Sequence, residues 1–315
     1  MKRSRIADFS LLLVAMMWGC TFLIVQNAVK VLPPLAFNSI RFMGAALLLA
    51  LITVIFYRKD WKQLSFRMVR DSLLLGLFLF MGYGFQTMGL LYTTTSNTGF
   101  ITGLSVVLVP FLSLALLKHA ISRYTWFSAA LAAIGLYLLT FTGSALSLNK
   151  GDALILLCAI AFALQVAYTG VYAPHYPALP LATLQLAFVG LFSIAASLIF
   201  EGATPLAHSG ELIKDPDVLW ALLISIGPTS AFAFWIQTAC QKYTTPSRVA
   251  IIYATEPVFA VLTGLAFGGE TLGLSALLGC GCILGAMLMA ELSPEPGQNQ
   301  HKKSYFSKLH LFRKR

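Results

Sequence analysis

One carboxylate stands inside a long apolar stretch of this sequence. Residues 253–270 read YATEPVFAVLTGLAFGGE, and Glu256 is followed directly by Pro257. A charged group among apolar residues is expensive to leave unpaired, so it must face other protein groups or water. The functional interpretation is that Glu256 lines a pathway and binds a cationic group or a proton. The structural alternative is a protonated or paired carboxyl that holds two helices together.

Arg41 is the basic residue that lies well inside an apolar segment, whereas the other Lys and Arg residues lie in connections and tails. It is a candidate counter-ion for Glu256 or a contact for a bound solute. At 1.5 Å per helical residue, it lies about 9 Å below the outer end of its segment and about 9 Å from the level of Glu256. The alternative is a structural anchor whose guanidinium reaches the outer headgroups.

Further polar and aromatic side chains lie near the middle of apolar segments, some of them at helical spacing on one face. They are Trp18, Tyr83, Gln86, Gln165, Tyr168, Trp235 and Tyr253. Such groups suit a cavity that holds an amphipathic solute by ring contacts and hydrogen bonds. Ordinary packing between helices is the alternative for each residue.

Three prolines interrupt apolar segments at Pro110, Pro228 and Pro257. Each proline lacks an N–H and its ring clashes with the carbonyl four residues earlier, so it kinks or breaks a helix. Freed carbonyls need donors that hydrocarbon does not offer. We therefore expect these helix breaks to surround a central, partly hydrated site.

The composition identifies the elements that carry these residues. The chain has 315 residues, of which 58% are hydrophobic and 11% charged, and its mean hydropathy is +0.79. Soluble domains carry about 25% charged residues, so the sequence predicts an all-α polytopic membrane protein with ten transmembrane helices. The expected spans are 8–28, 35–57, 71–91, 97–117, 124–142, 152–172, 180–200, 218–239, 248–268 and 272–291.

The basic residues predict the orientation of these spans. With the N-terminus inside, the inner segments hold 18 Lys and Arg residues, whereas the outer segments hold only Lys30, Lys150 and Lys214. This bias predicts a multi-pass protein of the cell's inner, cytoplasmic membrane with both termini in the cytoplasm. The net charge of +10 is thereby explained by topology, and no nucleic-acid partner is predicted.

The two halves of the chain resemble each other. A shift of about 147 residues places Pro110 on Pro257, and FMGYG in the third span lands close to SIGPT in the eighth. Each half, 8–142 and 152–291, has five predicted spans, and an odd number forces the second half to enter the membrane from the opposite side. Such inverted repeats are typical of secondary transporters. The basic tail 292–315 is expected either to lie on anionic lipid as a short helix or to move freely.

Several pieces, taken in order, resemble the EamA family of the drug/metabolite transporter superfamily. They are WGCTF, IRF, TTTSNTGFITGLSVVLVPFLSLALL and EPVFAVLTGLAFGGE. The resemblance covers about 8–291 and implies an export or exchange carrier with a cavity between its two halves, for amino acids, other small metabolites or toxic compounds. The chain departs from the family at Lys118 and His119, near where members often carry an acidic residue, while Glu270 retains the acid in the second half.

We therefore predict a secondary carrier that works by alternating access and that has no catalytic residues, cofactor or metal. Its partners are a small-molecule solute and the lipid bilayer, with proton coupling through Glu256 as an open question. Two GxxxG patterns, at Gly99–Gly103 and Gly281–Gly285, favour close helix packing and leave a monomer or a homodimer open. The alternatives are a membrane-embedded enzyme, although no HExxH or GxSxG motif occurs, and a channel or receptor.

Overall fold

A computed structural model describes residues 2–93, 95–117, 122–140, 149–267 and 273–292, and within them the chain forms helices and no strand. Lys118, His119, Glu270 and the basic tail beyond Leu292 lie outside the described residues.

The described residues of the first half form eight helices. They are α1 (Lys2–Gly19), α2 (Phe22–Val31), α3 (Pro34–Phe56), α4 (Arg58–Trp61), α5 (Phe66–Gly89), α6 (Thr95–Gly103), α7 (Ser105–Leu117) and α8 (Arg123–Thr140). Local chemistry sets several starts. Pro34 occupies the first turn of α3, where a missing N–H costs nothing, and the Ser65 hydroxyl accepts a hydrogen bond from the Met68 amide at the start of α5.

The second half contains nine helices among its described residues. They are α9 (Lys150–Tyr172), α10 (Ala178–Phe200), α11 (Thr204–Ala207), α12 (Ser209–Leu212), α13 (Pro216–Ile226), α14 (Ala233–Cys240), α15 (Pro246–Tyr253), α16 (Glu256–Phe267) and α17 (Leu274–Leu292). A 3₁₀ turn follows α9, and a π-helical turn, Gly227–Phe232, joins α13 to α14. Asn149 and Asp152 form a reciprocal capping box at the start of α9.

Among the described residues, five helices are long and apolar enough to cross a membrane alone, counting the turns that continue them. They are Pro34–Phe56, Phe66–Gly89, Lys150–His175, Ala178–Phe200 and Pro216–Cys240. A sixth crossing is added if α1 and α2, which meet at 42°, form one bent span. In its described residues, each of the ten predicted segments contains a helix or a broken pair of helices. Two further helices, Ile101–Leu116 and Leu274–Ala290, are apolar but shorter than the five.

The helix breaks fall close to the prolines but not always on them. Pro257 is the second residue of α16, after a break at Ala254 and Thr255. Pro228 opens the π-helical turn. Pro110 instead lies inside α7, which continues through it, and the interruption in this segment falls six residues earlier, at Leu104. A proline in a first turn begins a new helix without losing a bond, which explains the position of Pro257.

The outer surface of the bundle is apolar. In α3, Leu47, Leu51 and Ile55 recur at four-residue spacing and are each more than half exposed, whereas Phe42 and Leu49 on the opposite face are fully buried. A stripe of exposed leucines and isoleucines would be unfavourable in water and suits contact with lipid tails. The described helices therefore form a multi-pass membrane bundle.

The helices of the two halves pair in a matching pattern. The second predicted spans of the two halves, which are α3 and α10, pack together. The fifth predicted spans, which are α8 and α17, also pack together. The contact of α5 and α7 with α9 has a counterpart in the contact of α14 and α15 with α1. The first long helix of each half is therefore packed largely against the other half, and the space between the halves lies at the centre of the bundle.

Candidate functional site

A cavity lies between the two halves, and its empty space, open solvent included, is about 740 Å³. Its lining includes seven of the residues predicted from the sequence, namely Trp18, Tyr83, Gln86, Gln165, Tyr253, Glu256 and Pro257. These residues come from α1, α5, α9, α15 and α16, which are distant in sequence.

Aromatic rings form one continuous wall of this cavity. We call the rings of Trp18, Tyr83, Phe162, Phe234 and Tyr253 the ring wall. The ring centroid of Trp18 lies 4.9 Å from that of Tyr253 and 5.6 Å from that of Phe234, and the ring of Tyr83 lies 5.1 Å from that of Phe162. Tilted and edge-on pairs at these distances are favourable, so the rings hold one another in place.

The π-helical turn fixes the ring of Trp18. Its indole Nε1 donates a hydrogen bond to the Thr229 carbonyl oxygen at 2.8 Å. In a π-helical turn the backbone is widened, and the carbonyls are offset from the regular ladder and accept from neighbouring side chains. The helix break predicted at Pro228 thus affects the cavity indirectly, because the Thr229 carbonyl in this turn accepts the hydrogen bond that positions the Trp18 ring.

Arg41 lies behind the ring wall and does not line the cavity. Its side chain is buried, and its guanidinium carbon lies 4.6 Å from the centroid of the Tyr83 ring and 4.9 Å from that of Phe42. Its Nε donates to the Ser230 hydroxyl at 2.7 Å. Protein groups therefore occupy the guanidinium, and no ion pair between Arg41 and Glu256 occurs among the described residues.

Two other predicted residues also lie outside the cavity lining. Tyr168 packs against Phe78 and Tyr172, with ring centroids 5.4 and 5.8 Å away. Trp235 packs against Phe232 at 5.6 Å. Both therefore contribute to contacts between neighbouring side chains of the bundle.

A chain of amides lies along another side of the cavity. The Gln241 amide nitrogen donates to the Val166 carbonyl at 2.9 Å, which directs its own Oε1 toward Gln237. The Gln237 nitrogen donates to the Oε1 of Gln241 and, at 3.0 Å, to the Oε1 of Gln165. The Gln165 nitrogen in turn donates to the Thr169 hydroxyl at 3.1 Å. This network orients Gln237 so that its Oε1 is left without a donor among the described residues.

Sequence reasoning missed other residues of this lining, four of which are polar or aromatic groups that bear on its chemistry. They are Thr102, Phe162, Phe234 and Gln237. A signal existed for Gln237, because an amide within the apolar run AFWIQTAC needs a partner or a ligand. No comparable signal marks the two phenylalanines, because phenylalanine is common on every face of an apolar helix.

Glu256 is the only acidic residue of the lining in the part of the chain that the structure describes, and no Lys, Arg, His or Asp lies beside it there. The phenolic hydroxyl of Tyr253, one helical turn before it, is buried without a hydrogen-bond partner in the described part of the chain. The cavity thus combines one carboxylate, a few unpaired polar atoms and a wall of rings. That arrangement suits binding of a small amphipathic molecule and contains no nucleophile–base pair.

A family model described as the EamA-like transporter family matches residues 5–141 and again 149–291. The two matches coincide with the two halves of the bundle.

Named relatives extend over most of the chain. A protein of Archaeoglobus fulgidus, named an uncharacterized transporter, is 33% identical over 287 residues, which are 91% of this chain and 86% of that protein. The Escherichia coli K12 protein YedA, named an uncharacterized inner membrane transporter, is 26% identical over 280 residues, 87% of each chain. A solved crystal structure superposes with a TM-score of 0.72 over 91% of this chain and 98% of its own at 15% identity, and therefore shares the fold.

Proposed function

This chain belongs to the EamA-like transporter family, and on that premise we propose that it is a secondary carrier that exports or exchanges a small organic solute by alternating access. The solute classes that we consider are amino acids, other small metabolites and toxic compounds. The observation that carries the proposal is the central cavity, which is lined by helices of both halves and contains one carboxylate. Closing such a cavity at one end and opening it at the other requires only that the halves move relative to each other.

The contacts at the ends of the helices support an inverted arrangement of the halves. Near the start of α1, Asp8 binds Arg248 at 3.0 Å, and Arg248 lies in the first turn of α15. Just before α15, Lys242 donates to the Tyr176 carbonyl at 2.6 Å, and Tyr176 follows the end of α9. The start of α1 and the end of α9 therefore lie at the same end of the bundle, as expected when the second half is threaded oppositely.

At the same end, α5 contacts the residue that follows the 3₁₀ turn after α9. The Tyr176 hydroxyl donates to the Asp71 carboxylate at 2.7 Å. Burial, together with the hydrogen bond to Asp71, raises the pKa of Tyr176 to about 12. Tyr176 therefore stays protonated, and able to donate, across the physiological pH range.

Two carboxylate–threonine contacts, one at each end of the bundle, support a pair of gates. At the end just described, the Thr244 hydroxyl donates to Asp8 at 3.4 Å. At the other end, the Thr93 hydroxyl donates to Asp152 at 2.6 Å. Each aspartate lies near the start of the first helix of one half, and each threonine precedes the fourth segment of the other half. We propose that these contacts, the inner latch and the outer latch, open in alternation.

Charge distribution and relatives support the location of the carrier. The excess of basic residues in the predicted inner segments favours cytoplasmic termini. The name of the Escherichia coli relative refers to the inner membrane. We therefore propose that the protein lies in the cytoplasmic membrane, with the inner latch on the cytoplasmic side. The names of the relatives refer to transporters, which supports a carrier over a membrane enzyme.

Metabolite profiling and vesicle transport together test this function. Media of cells with and without the protein are compared by mass spectrometry, and the solutes that differ are supplied in labelled form to liposomes that contain the purified protein. We expect saturable uptake that is accelerated when unlabelled solute is present on the opposite side. Flux that does not saturate would indicate a channel instead, and chemical conversion of the solute would indicate an enzyme.

A further inference from the structure

The electrostatics of the cavity favour one charge type of solute. Among the described residues of the lining, Glu256 is the only one with an acidic or basic side chain. The nearest basic residue behind the ring wall, Arg41, is buried, donates to Ser230 and lies against the face of the Tyr83 ring. A solute carboxylate would find no cationic partner among the described lining residues, whereas an ammonium group would find the carboxyl group of Glu256 as a partner.

The ring wall adds a second preference for cations. The faces of aromatic rings carry partial negative charge, and an ammonium group near such a face is attracted most strongly when water is excluded. Each of the five rings of the ring wall has a neighbour in that wall at a centroid distance of 4.9 to 6.1 Å. The same rings cover the apolar part of a bound molecule.

An unpaired acceptor supplies a third, independent argument. Gln237 lines the cavity and is 1% exposed, and its Oε1 has no donor among the described residues. The Val166 carbonyl fixes Gln241, and Gln241 in turn fixes the direction of the Gln237 amide. Rotating the Gln237 amide by 180° would place its oxygen against the Oε1 of Gln241. The Gln237 atom that lacks a partner is therefore the acceptor Oε1. Buried acceptors are normally satisfied, and a ligand with N–H groups satisfies this one.

We propose that the cavity binds small amphipathic amines in their monocationic ammonium form and discriminates against zwitterions and anions of the same size. The ammonium group donates to the carboxylate of Glu256 and to Oε1 of Gln237, while the ring wall covers the hydrocarbon part. This proposal rests on the carrier function proposed above and narrows its solute class, because an amino acid has the carboxylate that an amine lacks.

A matched series of compounds tests the charge preference. The probes are 2-phenylethylamine, L-phenylalanine and 3-phenylpropanoate, which share a ring and differ in charge at neutral pH, together with butylamine as an amine without a ring. Binding to the purified protein in detergent is measured by quenching of tryptophan fluorescence, and flux is measured by counterflow in liposomes. We expect 2-phenylethylamine to bind at least about tenfold more tightly than the zwitterion or the anion.

Variants of the two acceptors test the proposed contacts. Glu256→Gln is expected to lose about tenfold or more of the affinity for 2-phenylethylamine. Glu211→Gln removes an exposed carboxylate distant from the cavity and serves as the matched control. Gln237→Glu, which adds a second carboxylate, is expected to strengthen amine binding. It keeps the proposal testable if Glu256→Gln does not fold.

The outcomes separate this inference from the carrier function. Binding of L-phenylalanine as tight as that of 2-phenylethylamine, or tighter, overturns the amine assignment, and so does the absence of binding of either amine. In that case, saturable counterflow of another solute would still support the carrier function. Weaker amine binding by Gln237→Glu also contradicts the proposed contact. Absence of counterflow for every solute found by metabolite profiling contradicts the carrier function itself.

Discussion

The guanidinium of Arg41 lies over the ring of Tyr83, 4.6 Å from its centroid, and Tyr83 lines the same cavity as Glu256. One aromatic side chain thus contacts the buried cation and also lines the space that contains the carboxyl group. Tyr83 is fixed in turn by Phe42 and Phe162, at ring distances of 4.9 and 5.1 Å. In this arrangement Arg41 contacts the ring wall without lining the cavity, whereas Glu256 lines it.

Replacing Arg41 tests this division of roles. Arg41→Ala should lower the free energy of unfolding by about 2–4 kcal/mol, because it removes two ring contacts and a buried hydrogen bond. Arg41→Lys should lose less, since it keeps the charge without the planar stacking surface. Thermal unfolding of the purified protein measures both effects, with the exposed Arg58→Ala as the control. An unchanged midpoint combined with lost solute binding would instead assign Arg41 to the binding site.

Replacing Glu256 tests the pathway. Glu256→Gln keeps the shape of the side chain and removes its charge, so we expect transport to fall about tenfold or more while expression and membrane insertion stay near normal. Counterflow in liposomes and the amount of inserted protein are measured together, again with Glu211→Gln as the control. Unchanged flux would assign the carboxyl a structural role, and so would loss of the folded protein.

The two latches should act in opposite directions. Asp8→Asn weakens the inner latch, whose carboxylate binds Arg248 and Thr244, and Asp152→Asn weakens the outer latch to Thr93. We expect a few-fold faster labelling of a cavity cysteine from the cytoplasmic side in the first variant, and from the outer side in the second.

A cysteine at Ser105, which lines the cavity, reports this accessibility in a background without the five native cysteines. An impermeant maleimide is applied to vesicles of each orientation. If both variants increased labelling from the same side, the latches would not be a gate pair.

Trp18→Phe should separate the indole hydrogen bond from the ring. The variant keeps an aromatic ring against Tyr253 and loses the bond to the Thr229 carbonyl at 2.8 Å. We expect a loss of about 1 kcal/mol in unfolding free energy and weaker solute binding, because the ring wall is less firmly positioned. Thermal unfolding measures the change in stability. Equilibrium dialysis, which does not depend on tryptophan fluorescence, measures solute binding. A variant with stronger binding would contradict the positioning role of Thr229.

Close packing of α9 on α15 predicts a sensitive glycine. A Cβ at Gly170 would lie 2.3 Å from a ring carbon of Pro246, which is too rigid to move aside. Gly170→Ala should therefore lower the stability by about 1–3 kcal/mol through overpacking. Gly210→Ala is the matched control, because no atom lies within 4 Å of the added carbon. Equal melting temperatures of the two variants would contradict the close approach of these helices.

The sequence predicted the elements well, because each depends on local composition. Apolar segments must become helices in hydrocarbon, where every backbone group needs an internal partner. The predicted segments accordingly coincide with helices or broken pairs of helices, and polar groups inside them pointed to Glu256, Gln165, Tyr83 and Gln86 as lining residues. An inverted repeat of ten crossings remains a prediction, which the matched pairing of the helices supports.

What the sequence alone determined is therefore the membrane class, the helical segments, the family resemblance and most of the polar residues of the cavity. Only the tertiary structure decided which aromatic rings face the cavity. Gln165 and Tyr168 are three residues apart on α9, yet Gln165 meets the cavity and Tyr168 packs against Phe78. Phe162 and Phe234 enter the wall without any signal in the sequence. The polarity of its residues determines whether a segment lies in the membrane as a helix. The neighbours that each side chain contacts are determined by how helices distant in sequence pack together.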